Sequence, residues 1–264
     1  MVFLQNVDAI IKNNLSNRLL LFIIRNNIFC ITFLITDKIL KRDFSGTLSL
    51  FCIMFYFVKI PRWLQTLYPN RIWQMDKNKK EIYLTFDDGP HPGITDFVLD
   101  ELKQYNAEAT FFCIGNNVLK YPEVYRRIID EGHTVGNHTQ QHLNGYNTTD
   151  KVYVDDILKA SNYIDSNLFR PPYGKIKTFQ AKIITTLKKP FKIIMWTILS
   201  GDFDISLSPQ RCLKNVLFKI SNGAIVVFHD SEKAAERMTY ALPKVLKTFT
   251  EKGYRFKKLT DFSI

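Results

Sequence analysis

Glu81-Ile82-Tyr83-Leu84-Thr85-Phe86-Asp87-Asp88-Gly89-Pro90 is the stretch on which the reading of this chain turns. Its first half is a short apolar run of the kind that forms a buried strand, and Gly89-Pro90 breaks it. Two adjacent carboxylates therefore stand where a buried strand ends. Neighbouring side chains on a strand point to opposite faces, so the pair can divide two jobs: one ligates a metal, the other handles a proton. Side-by-side anions repel and raise one pKa unless a cation or an arginine compensates. The pair implies a partner, and the rest of the chain offers four.

His138-Thr139-Gln140-Gln141-His142 follows the apolar run at 133–137 and carries two imidazoles four residues apart, a spacing at which both can reach one metal. Imidazole plus carboxylate suits zinc or another borderline divalent ion. Arg170-Pro171-Pro172-Tyr173-Gly174 follows Leu168-Phe169, and Arg170 brings a permanent fork of donors for a carboxylate. Val227-Phe228-His229-Asp230 closes a strand-like run beginning at Ala224, and Trp196 and Asp202 follow Ile193-Ile194-Met195. Each motif alone also has a bland reading. Asp87-Asp88 serves equally as a helix cap and a turn acid, the histidines as surface or capping residues, Arg170 as a surface ion pair, and Trp196 as core. The set is what carries specificity. Its members fall at the trailing ends of successive strands, where a barrel or an open α/β sheet builds its site.

Strand-like and helical patterns alternate around these motifs. Strands are predicted at 81–87, 109–115, 133–138, 168–170, 192–198, 224–229 and 254–258, and helices at 95–105, 121–131, 151–167, 178–188, 208–221 and 238–252. Ala109 to Gly115 is a near-continuous apolar run, as a parallel strand covered on both faces should be. The alternation argues for an α/β fold with parallel strands.

Taken in order, the motifs resemble those of the polysaccharide deacetylases of the NodB-homology type, carbohydrate esterase family 4. That family is marked by TFDDGP, H-S/T-x-x-H, R-x-P-Y, D-x-x-D-W and L-x-H. This chain has TFDDGP at 85–90, HTQQH at 138–142, RPPY at 170–173, LSGDF at 199–203 and VFH at 227–229. The resemblance covers about Glu81 to Leu259. It implies a distorted (β/α)7 barrel, TIM-like and parallel-stranded, where a closed TIM barrel has eight strands. It also implies a metal-dependent hydrolase that removes N-acetyl groups from an N-acetylglucosamine-type polysaccharide. Carried over position by position, Asp87 becomes the general base and Asp88, His138 and His142 the metal ligands. Arg170 orients Asp87 as a two-pronged fork, and the Tyr173 backbone N–H stabilises the oxyanion. His229 becomes the general acid, held by Asp202. Val227, Phe203 and Trp196 wall the pocket for the acetyl methyl. The implied metal is zinc, with cobalt or another divalent ion as alternatives. Three positions depart from the pattern: Leu199 replaces an aspartate, Phe203 a tryptophan and Val227 a leucine. These bear on substrate fit more than on activity.

The residue types make chemical sense of that implication. Acetamide hydrolysis needs an activated water, a polarised carbonyl and a protonated leaving amine. A divalent ion serves the first two needs, and two separated groups serve as base and acid. Two other classes stay open: an inactive relative that binds carbohydrate or metal, and a deacetylase of a small amide. Intact Asp87 and His229 argue against the first, since a pure ligand site needs neither.

The 264 residues, 46% of them hydrophobic, suffice for one good-sized domain. The four cysteines, Cys30, Cys52, Cys113 and Cys212, show no paired spacing and read as small buried hydrophobes. The net charge of +11 is uneven: residues 1–80 hold 12 Lys/Arg against 4 Asp/Glu, and the remainder 24 against 21. The nearly balanced remainder offers no nucleic-acid patch, and the expected partner is an N-acetylated polysaccharide met by a monomer. The domain reading is an N-terminal extension at 1–53, a lead-in at 54–80 and a catalytic domain at 81–264. The apolar run Leu19–Thr36 is interrupted by Arg25-Asn26-Asn27, a poor membrane span. Thr47–Val58 is too short to span alone, and no small-residue cleavage site follows either run. The functional reading of residues 1–58 is a membrane-proximal anchor with basic flanks. The bland one is an extension outside the enzyme, or an overlong start with the true one at Met54.

Overall fold

The computed structural model describes residues 58–260. The anchor reading, the alternative start at Met54, and Cys30 and Cys52 lie outside the described residues. Among those residues, no helix is long and apolar enough to cross a membrane.

Among the described residues, nine strands form one sheet: β1 (Arg71–Ile72), β2 (Glu81–Asp87), β3 (Ala109–Cys113), β4 (Thr134–Asn137), β5 (Leu168–Phe169), β6 (Lys192–Ile194), β7 (Ile198–Leu199), β8 (Ala224–His229) and β9 (Arg255–Phe256). The order is β1-β6-β5-β4-β3-β2-β8-β7, with β9 against the start of β2, and every strand pair is parallel. The sheet is curled. Gln74, just past β1, bridges to Ala224 at the start of β8, and Met75 N donates to Gly223 O at 2.8 Å. The result is the distorted α/β barrel expected from the motifs.

Eight α-helices among the described residues cover it: α1 (Arg62–Thr66), α2 (Ile94–Gln104), α3 (Gly115–Lys120), α4 (Pro122–Asp130), α5 (Asp150–Ala160), α6 (Thr178–Thr185), α7 (Pro209–Leu217) and α8 (Ala235–Glu251). The period-two alternation of a strand explains the layering. Ile82, Leu84 and Phe86 of β2 point outward into a core shared with Leu99 of α2 and Met238, Leu242 and Val245 of α8. Tyr83 points inward, onto Phe112, Leu168, Ile194 and Ile225. The same alternation sends Thr85 and Asp87 inward above Tyr83.

Two departures from the sequence reading have local causes. The stretch 192–198 is two strands, because Met195 N donates to Ile72 O at 2.7 Å and Thr197 N then crosses to Ile225 O at 2.9 Å. Helix α3 begins Gly115-Asn116-Asn117, residues of low helix propensity, and forms where Gly115 N and Asn116 N donate to Thr139 O and Gln140 O at 2.9 and 3.0 Å. Residues 58–80 are integral to the sheet: Ile60 and Trp73 join Phe169, Ile184 and Ile193 in one core cluster.

Candidate active site

Parallel pairing builds the site. The β2–β8 register sets Asp87 beside His229, so two inward side chains end their strands together. His138 leaves the end of β4, and Arg170 leaves the end of β5. Neighbouring strands thus bring residues about 30 to 140 positions apart to one rim.

Ligand atoms of Asp88, His138 and His142 all lie within 4.8 Å of one another. Asp88 Oδ1 is 3.1 Å from His142 Nε2 and 3.6 Å from His138 Nε2. It is buried, yet it has no hydrogen-bond partner among the described residues. His138 Nδ1 lies 2.7 Å from Arg170 O. A carbonyl only accepts, so Nδ1 carries the proton and Nε2 turns a bare lone pair towards Asp88. A lone pair facing an orphaned carboxylate oxygen calls for a cation between them. Metal–ligand bonds of about 2.0–2.1 Å set ligand atoms roughly 3.3 Å apart in a tetrahedral site, which the two distances bracket. The donor set therefore fits a divalent metal such as zinc.

Asp87 is 4% exposed, and its Oδ1 accepts from Arg170 Nη1 at 2.7 Å. The two-pronged fork expected for Arg170 is not what the structure holds. Nη1 also donates to Thr85 Oγ1 at 2.7 Å, Nη2 to Met195 O at 3.0 Å and Nε to Ile194 O at 3.3 Å. The guanidinium is fully buried and lies over the Phe112 ring, so each N–H must find an acceptor. Two of its four contacts go to backbone carbonyls, and Asp87 is held through Oδ1.

Asp202 is fully buried and grips His229 twice. Its Oδ2 accepts from His229 N at 2.7 Å and its Oδ1 faces Nδ1 at 2.8 Å. Arg237 Nε donates to Asp202 O at 2.6 Å and fixes the loop. Burial disfavours the imidazolium, but the Asp202 carboxylate outweighs it and lifts His229 to about 10. The Phe203 ring meets His229 edge-on at 5.3 Å. Val227 is 1% exposed, Trp196 is partly buried, and the Trp196 edge fills the space a Cβ on Gly174 would take. Tyr173, at φ 60°, is 62% exposed and stands 4.6 Å from the His142 ring.

Three supporting residues, Asp156, Asn117 and Thr95, escaped the sequence reading, and Asp230 was quoted there without a role of its own. Asp156 of α5 accepts from Gln140 N and Gln141 N at 3.0 Å each, bracing the turn between the two histidines. Asn117 Nδ2 donates to Asp88 O at 2.7 Å. Asp230, 1% exposed, accepts from Gly89 N at 3.0 Å and from Thr95 Oγ1 at 2.6 Å. Burial pushes its carboxyl up to about 7. Only the position of Asp230 beside His229 was a signal, and it carries no spacing that names a partner. A separate cavity of about 990 Å³, lined by Glu81, Tyr83, Glu108 and Lys257, opens at the other end of the barrel, away from this chemistry.

Comparison with known proteins agrees with the fold. The polysaccharide deacetylase family model matches residues 74–189. A peptidoglycan-N-acetylglucosamine deacetylase of Bacillus cereus is 34% identical over 195 residues, which span 72% of this chain and 91% of the relative. The peptidoglycan-N-acetylmuramic acid deacetylase PdaC of Bacillus subtilis is 32% identical over 192 residues, spanning 69% of this chain and 38% of that one. A crystal structure of a peptidoglycan N-acetylglucosamine deacetylase superposes with a TM-score of 0.69 at 32% identity, covering 76% of this chain and 95% of the other. This chain belongs to the polysaccharide deacetylase family.

Proposed function

We propose that the chain is a metal-dependent deacetylase that hydrolyses N-acetyl groups on the amino sugars of a cell-wall polysaccharide of the peptidoglycan type. The observation that carries this reading is the pairing of two separately supported groups. Asp87 is held by Arg170, and His229 is held by Asp202, on adjacent strand ends beside a three-ligand cluster. A site for metal or sugar binding alone needs neither pair. The peptidoglycan specificity of the relatives supports the polymer class.

In this mechanism Asp88, His138 and His142 would hold the metal, which would supply Lewis acidity and an activated water. Asp87 takes a proton from the attacking water on Oδ2, the oxygen outside the Arg170 contact. The Tyr173 backbone N–H donates to the acyl oxygen as charge develops there. His229 enters protonated, because Asp202 keeps it so, and gives the proton from Nε2 to the departing amine nitrogen. Trp196, Phe203 and Val227 enclose the acetyl methyl. Phe203 stands where the family motif has a tryptophan, which puts a smaller ring on that side of the pocket.

The test is acetate release from peptidoglycan and from N-acetylglucosamine oligomers, with native, chelator-treated and zinc- or cobalt-restored protein. Release is expected on at least one amino-sugar polymer, abolished by chelation and restored by metal. Full activity in protein shown metal-free by elemental analysis would overturn the metal role. Activity confined to small amides would overturn the substrate class.

A further inference from the structure

We infer that Asp230 is a positioning residue that sets metal affinity by fixing the backbone of Asp88 from both sides. The inference rests on the reading of Asp88 as a metal ligand. Asp88 has φ 80°, a left-handed conformation that a residue with a side chain rarely adopts. Such a conformation persists only where the surroundings over-determine it. Asp230 acts on both flanks. Its amide donates to Asp87 O at 3.0 Å, and its Oδ1 accepts from Gly89 N at 3.0 Å. The carboxylate occupies the space beside Gly89 so closely that a Cβ on Gly89 would overlap it.

The second oxygen is anchored in turn. Thr95 Oγ1 donates to Asp230 Oδ2 at 2.6 Å and accepts from His91 N at 2.8 Å. Thr95 lies in the first turn of α2 and is fully buried. Gly89 N, Asp230, Thr95 and His91 N are thus linked by three hydrogen bonds, and the backbone from Gly89 to His91 closes the ring beside Asp88. The hydrogen bonds of Asp230 go to backbone and to Thr95, and among the described residues none goes to the donor atoms of Asp88, His138 or His142. It acts through backbone geometry, in the way partners behind a ligand tune a metal site.

The experiment measures zinc affinity by chelator competition and the visible spectrum of the cobalt-loaded protein. The full chain is used, as wild type, Asp230→Ala, Asp230→Asn, Thr95→Val and Thr95→Ser. Asp230→Ala should weaken metal binding by roughly 10–100-fold, the usual loss when a supporting partner is removed, and should alter the cobalt ligand-field bands. Asp230→Asn keeps an acceptor for Gly89 N and should recover part of the affinity. Thr95→Val should weaken binding, and Thr95→Ser, which keeps the hydroxyl, should restore it; this pair decides the matter if Asp230→Ala does not fold. Wild-type affinity and spectrum in folded Asp230 and Thr95→Val variants, with only a lower melting temperature, would overturn the inference. If instead Asp88→Asn leaves wild-type affinity unchanged, the ligand reading itself fails, and the two failures are told apart.

Discussion

Asp202 and His229 show how one buried carboxylate can set both a role and a pH dependence. The folded-state value of about 10 for His229 lies above its ordinary 6.5, so the folded chain binds that proton more tightly than the unfolded chain does. The stability this adds is complete below about pH 6.5 and is lost as the pH climbs through about 10. Asp202→Asn should shrink that alkaline loss and pull the basic limb of the pH–rate profile down towards neutrality. Urea titrations of both proteins at acid, neutral and alkaline pH, with matching rate profiles, check this; an unmoved basic limb counts against His229 as the acid. Removing the proposed proton-transfer groups themselves should cost more. Asp87→Asn and His229→Ala should each lower kcat by roughly 10²–10⁴ with metal content unchanged, as read by acetate release and elemental analysis. His229→Ala with wild-type turnover would remove the acid assignment.

Among the elements, β2 is decisive, and the structure separates its two faces. Ile82, Leu84 and Phe86 alternate with Tyr83, Thr85 and Asp87, so one face joins the helices while the other descends into the barrel. Phe86 stacks between Phe111 and Phe228, with centroids 5.1 and 6.1 Å away. Phe86→Ala should destabilise the protein by about 3–5 kcal/mol, the usual cost of emptying such a site, measured by denaturant unfolding. A loss below about 1 kcal/mol would mean the neighbours close the gap. On the inner face, the fully buried Arg170 shares its N–H groups among Asp87, Thr85 and two carbonyls. Arg170→Met leaves Asp87 as an unpaired buried charge and should cost about 3–5 kcal/mol. Arg170→Lys keeps the charge but not the planar donor set, so it too should lower both melting temperature and kcat; wild-type values for both would show the planar donor set to be dispensable.

For the whole molecule, the decisive fact is that residues 58–80 complete the sheet. Leu199 N donates to Val58 O at 2.8 Å, Ile60 N donates to Thr197 O at 2.9 Å, and β1 pairs with β6. A chain beginning at Met54 keeps all of these contacts. It should fold, bind metal and deacetylate with kcat/KM close to that of the full chain, since the proposed site residues run from Asp87 to His229. A chain beginning at Glu81 loses Ile60 and Trp73 from a core cluster and should fail to fold cooperatively. Melting curves and acetate release at matched metal loading separate the outcomes. An unfolded chain from Met54 would assign residues 1–53 to the folded domain.

The sequence by itself determined what local chemistry can encode. Apolar runs ending in Asp87-Asp88, His138, Arg170 and His229 marked strands and the rim where they finish, because strand period and turn residues are written into neighbouring positions. The motif order gave the family and the barrel. What only the tertiary structure decided depends on contacts between distant segments. The β2–β8 register puts Asp87 beside His229, and the buried guanidinium of Arg170 divides its donors by what happens to surround it. Asp230 meets Gly89 across 141 residues of chain, a pairing no spacing announces. Helix α3 and strand β1 exist because neighbouring elements offer them hydrogen bonds, and there long-range satisfaction of backbone groups overrides weak local propensity.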